Sequence, residues 1–79
     1  MAIYILIKKA SETEDWMDYE FGEDDDNVGC LRLDKKIGKI IELREIRGAH
    51  SEAVFTRASW SILRHFVAGE FPEQTCWAS

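Results

Sequence analysis

Residues 2–8, Ala-Ile-Tyr-Ile-Leu-Ile-Lys, are apolar at every position but the last and rich in β-branched side chains. In an extended chain Ile3, Ile5 and Ile7 line one side, while Tyr4 and Leu6 make the other side apolar as well. This pattern predicts a strand covered on both faces. It suits the interior of a sheet, or an edge protected by a second copy or a partner, because a long hydrophobic edge left bare invites aggregation.

The rest of the chain supplies one further layer. Ala10-Ser11-Glu12 has turn chemistry, and residues 13–21 alternate, with Met17, Tyr19 and Phe21 on one side and Glu14, Trp16, Asp18 and Glu20 on the other. Residues 22–27, Gly-Glu-Asp-Asp-Asp-Asn, offer nothing to bury and predict an exposed loop. Residues 28–34 and 39–46 form a hairpin around Asp34 to Gly38, with Leu31, Leu33, Ile41 and Leu43 facing the core and Cys30 a small core side chain. After a polar link the period changes to that of a helix: Phe55, Ala58, Ser59, Ile62 and Phe66 form a stripe widened by Leu63 and Val67. Ser51 or Thr56 is placed to cap it, and Gly69 and Pro72 to end it. Phe71 and Trp77 are too costly to leave in water and should pack back on the body. The expectation is one α+β domain over residues 1–79: a four-stranded antiparallel sheet (ββββα) with one C-terminal helix packed on one face.

A chain of this length buries only roughly 60% of its unfolded surface, which leaves little room for an enclosed catalytic cavity and favours binding over chemistry. Fifteen acidic and ten basic residues give a net charge of −5. That balance argues against direct contact with nucleic acid or an anionic membrane surface. No apolar run is long enough to span a bilayer and no leader pattern opens the chain, so the expected location is cytoplasmic. The charge is unevenly distributed. Residues 10–27 carry nine carboxylates and no lysine or arginine, whereas residues 32–47 carry six basic and three acidic residues.

The acidic segment holds the candidate site. On an extended strand Glu12, Glu14, Trp16, Asp18 and Glu20 point the same way, with neighbouring carboxylates roughly 6.6 to 6.8 Å apart. Like charges at that spacing repel, and an indole among them loses apolar burial unless something cationic covers the row. A basic protein partner relieves the repulsion and buries Trp16 as an anchor. The spacing also approximates that of successive phosphates on one nucleic-acid strand. Asp24, Asp25 and Asp26 in the next loop extend the negative surface.

Other constellations point to less. The loop resembles a calcium ligand set only in part: Val28 stands at the third side-chain position, and Lys35 stands where a bidentate glutamate belongs. Cys30 and Cys76 lack metal or redox spacing, and Cys76 beside Trp77 is expected to be partly exposed. His50 and His65 have no nucleophile at a diagnostic spacing; a small hydrolase would need one of them in a pocket beside a carboxylate. Arg57, Ser61 and Arg64 form the expected polar face of the helix, with Trp60 at its border. The sequence thus predicts a non-enzymatic protein, with no cofactor or metal, that occludes a basic surface as an inhibitor, antitoxin or immunity-type protein does. The competing expectation is a homodimer that pairs through the first strand.

Overall fold

A computed structural model of the chain describes residues 3–78. The elements follow the order β1 (Tyr4–Glu12), β2 (Trp16–Gly22), β3 (Gly29–Asp34), β4 (Ile40–Arg44), α1 (Ser51–Val67) and β5 (Gln74–Ala78). All five strands form one antiparallel sheet in the order β4-β3-β2-β1-β5. The α+β class, the antiparallel sheet and the single helix match expectation, but the sheet has five strands, not four. The tail after Pro72 is the added strand. Its alternation is short, yet it lies against β1 from Tyr4↔Ala78 to Lys8↔Gln74.

That pairing leaves β1 no free edge for a dimer through the first strand. β1 is hydrogen-bonded to β2 on one edge and to β5 on the other, so a second copy can pair with it only by displacing one of them. The two-sided apolar run therefore takes the interior position. The first hairpin differs from expectation as well, because β1 runs through Ala10-Ser11-Glu12 with a bulge between Lys9 and Ser11. The turn falls at Thr13 to Asp15, where the Thr13 hydroxyl accepts from the amides of Asp15 and Trp16.

One face of the sheet is covered by α1. Ile5, Ile7, Met17, Tyr19, Phe21, Leu31 and Leu33 pack there against Val54, Ala58 and Ile62, with Ile46 closing one side. Tyr19 sits deep enough that burial, and secondarily the charge of Glu12, pushes its phenol up to about 12, and its hydroxyl donates to the Pro72 carbonyl at 2.8 Å. The helix stripe is rotated from the expected one: Val54 and Ser61 are buried, while Val67 is 85% exposed. Ser61, expected on the polar face, donates to the Cys76 carbonyl of β5 at 2.9 Å. His50 precedes the helix with no side-chain cap, so neither Ser51 nor Thr56 performs that role. Gly38 closes the β3–β4 turn at φ +73°, with the Phe66 ring against it. Gly69, at φ +76°, follows the helix end.

β4 departs from the expected register. Leu33 pairs with Ile40 and Arg32 with Ile41, and a bulge follows between Cys30 and Leu31. Ile40 therefore packs on the core, whereas Ile41 and Leu43, expected inside, are each 45% exposed. Cys30 also moves, onto the face opposite the helix, where it pairs with Glu20 and Arg44. Both tail aromatics fold back as expected. Trp77 packs on the core and against Trp60 at 5.6 Å, and Phe71 meets Phe66 edge-on at 6.3 Å. Among the described residues no helix is long and apolar enough to cross a membrane.

Candidate docking face

The sheet face turned away from α1 carries Tyr4, Leu6 and Lys8 of β1, Trp16, Asp18 and Glu20 of β2, Cys30 and Arg32 of β3, and Ile41 and Arg44 of β4. No element of the described chain lies over it. Tyr4 is 55% exposed, and Leu6 and Trp16 are half-buried. The first strand's second apolar side, which the sequence requires to be covered, thus has no cover within the described chain.

The acidic row is split by the observed topology. Trp16, Asp18 and Glu20 share the open face. Glu12 belongs to β1 and pairs with Met17, which places it on the helix side, and Glu14 sits in the hairpin turn. Most of the row is also neutralised from within. Arg32 grips Asp18 with two hydrogen bonds, Nε to Oδ1 at 2.7 Å and Nη2 to Oδ2 at 3.0 Å, and the Ser11 hydroxyl donates to Oδ2 at 3.1 Å. The guanidinium holds the Asp18 carboxyl below its ordinary range against the opposing effect of burial. Arg44 bonds Glu20 at 3.2 Å, Lys36 pairs with Asp15 at 3.3 Å, and Lys35 and Lys9 both reach Glu12, whose carboxyl is lowered chiefly by Lys35. The basic segment from Arg32 to Arg44 is thus the counter-charge of the acidic strands. Three expected docking charges, Glu12, Asp18 and Glu20, become structural pairs.

Trp16 lies on the open face rather than inside. The Arg32 guanidinium stacks 4.4 Å from its ring, and together they wall a shallow depression of about 220 Å³ with Asp34, Lys39 and Ile41. A second depression of about 220 Å³ lies at the other end of the face. Its apolar surface is Tyr4, Leu6 and Val28, and Glu23, Asp24 and Asp25 of the β2–β3 loop rim it. Lys8, Glu20, Phe21 and Gly22 complete the lining. Among the described residues, no ion pair reaches the side chains of Glu23, Asp24, Asp25 or Asp26. The loop is shaped by its own bonds: Asp24 Oδ1 accepts from the Asp26 amide, and Asn27 exchanges two bonds with the Arg47 backbone. The Arg47 guanidinium donates to the Asp26 carbonyl at 2.7 Å, and the carboxylates of residues 10–27 that have no ion-pair partner among the described residues are those of this loop, with Glu14 at the far end. From the sequence, Tyr4 and Leu6 are strand residues needing cover, and Ile41 is core. Pairing Tyr4 and Leu6 with the acidic loop needs the β1–β2 register, which fixes Leu6 opposite Gly22.

A third depression, between β4, the link and the start of α1, gathers Glu42, Glu45 and Glu52. Burial, with the two neighbouring carboxylates, pushes the Glu42 carboxyl up. Among the described residues no group of three or more metal-ligating side chains is placed to hold an ion. His65 does meet a carboxylate: Nδ1 lies 2.9 Å from Glu70 Oε1, and Nε2 lies 2.9 Å from Thr75 Oγ1. These contacts tie the end of α1 to the following link and to β5. None of the three depressions is lined by a histidine. Comparison with known protein families, with curated proteins and with solved structures finds no match.

Proposed function

We propose that this chain is a non-enzymatic binding protein that covers a basic surface of a macromolecular partner with its open sheet face, the task of an inhibitor, antitoxin or immunity-type protein. One observation carries the reading: Tyr4 and Leu6, the second apolar side of the interior strand β1, have no element over them beside a loop whose four carboxylates have no ion-pair partner among the described residues. Apolar surface supplies affinity and the loop supplies sign. Opposite charge speeds encounter and rejects acidic surfaces, and burial of Tyr4, Trp16 and Ile41 slows release. Compared with the sequence-level site, the contact set moves from the β2 row toward Tyr4, Leu6, Trp16, Ile41 and Glu23 to Asp26. Asp18 and Glu12 stay behind as structural pairs.

Affinity capture from the native host's lysate at low and high salt, followed by rebinding of the purified captured protein, tests this. A basic protein should be retained at low salt and rebind purified. Capture should fall with Tyr4→Ala combined with Ile41→Ala, and survive Trp60→Ala on the helix side. Retention indifferent to the open-face pair and lost with Trp60→Ala would move the interface to the helix side and end the proposal.

A further inference from the structure

Resting on the docking reading above, we propose that the depression beside the β2–β3 loop is the receptor for a single arginine side chain of the partner. The geometry asks for a ligand with two parts. Tyr4, Leu6 and Val28 offer an apolar floor that suits an aliphatic stem, and Glu23, Asp24 and Asp25 at the rim suit a cationic head. An arginine satisfies both and adds what a lysine lacks, a planar guanidinium that stacks on the exposed Tyr4 ring while forking to a carboxylate. Charge selects the cation: the lining holds four carboxylates and one lysine, and of the four only Glu20 has an ion-pair partner among the described residues, Arg44, while one oxygen of Asp24 accepts from the Asp26 amide. A second copy of the chain is a poorer occupant, because each molecule carries a net charge of −5.

The probe is an oligoarginine peptide titrated into the isotopically labelled protein and followed by amide chemical shifts, with the equal-length citrulline peptide as the uncharged control. Saturable shifts are expected at Tyr4, Leu6 and the 22–28 loop, with none from citrulline. Tyr4→Ala should weaken the oligoarginine affinity by about threefold or more. The Asp24→Asn, Asp25→Asn pair should weaken it further while leaving the fold intact, because an asparagine in place of Asp24 keeps an oxygen for the Asp26 amide. Shifts that do not saturate and appear equally at Glu14 and Glu52, or affinity unchanged by both variants, would overturn the receptor and leave only diffuse charge attraction. The two proposals separate cleanly. If the captured partner depends on Tyr4, Trp16 and Ile41 but not on Asp24 or Asp25, the docking face stands and the arginine receptor falls.

Discussion

Asp18 shows how the environment assigns a residue its role. It is 8% exposed although no element covers its face, because Arg32 and Ser11 bond it and the Trp16 ring stacks on the same guanidinium. A carboxylate so placed is held ionised by its guanidinium, and removing the pair exposes the cost of burial. Asp18→Asn should destabilise by about 2 kcal/mol at neutral pH in urea unfolding. Arg32→Ala should cost more, since it leaves a buried charge unpaired. The sign with pH follows from the lowered folded value. The contribution is complete above the carboxylate's unfolded range and is lost as pH falls through the depressed folded value, so the Asp18→Asn stability profile should be flatter on the acid side. Glu42 runs the other way. Its raised carboxyl favours protonation in the folded state, so stability falls as pH rises through the unfolded and then the folded value. Glu42→Gln should therefore gain about 0.5 kcal/mol at neutral pH, and an unchanged midpoint in urea would contradict the assignment.

Among the elements, β5 is the one that completes the sheet. It protects the edge of β1, and Ser61 and His65 bind it to α1 through the Cys76 carbonyl and the Thr75 hydroxyl. Trp77→Ala removes its packing on Trp60 and the core and should cost about 3 kcal/mol by thermal or urea unfolding. Deuterium exchange should speed up at Ile5 and Ile7 as well as in β5 itself. The tight β3–β4 turn gives an independent check. Gly38→Ala requires a positive φ and places a methyl 2.6 Å from the Phe66 ring, so a loss of about 1 to 2 kcal/mol is expected. Much of this is legible in the sequence: the core residues of β1 and β2, Leu31 and Leu33 of β3, the helix, the Gly38 turn and the return of Trp77 all follow from period and turn chemistry. Two misses in the sheet have identifiable causes. Five residues of a terminal strand carry too little alternation to announce a strand, the β3–β4 turn sets Ile40 rather than Ile41 opposite Leu33, and the bulge that follows inserts Leu43.

For the molecule as a whole, the charge segregation seen along the chain is mostly internal complementarity. Asp18 and Glu20 of β2 pair with Arg32 of β3 and Arg44 of β4, and Glu12 and Asp15 pair with Lys35 and Lys36 of the β3–β4 turn, whereas among the described residues the carboxylates of the β2–β3 loop and Glu14 have no ion-pair partner. Segment charge is plain in the sequence, but which pairs close is not, because pairing depends on strand order. The central requirement, that both faces of the first strand be covered, is legible there too. The described chain meets that requirement on one face alone. The most direct test is amide hydrogen exchange and chemical-shift mapping of the protein alone and bound to the captured partner. New protection and shifts centred on Tyr4, Leu6, Trp16, Ile41 and the 22–28 loop are predicted. A footprint on Trp60, Arg64 and the helix, with the open face unchanged, would contradict the account.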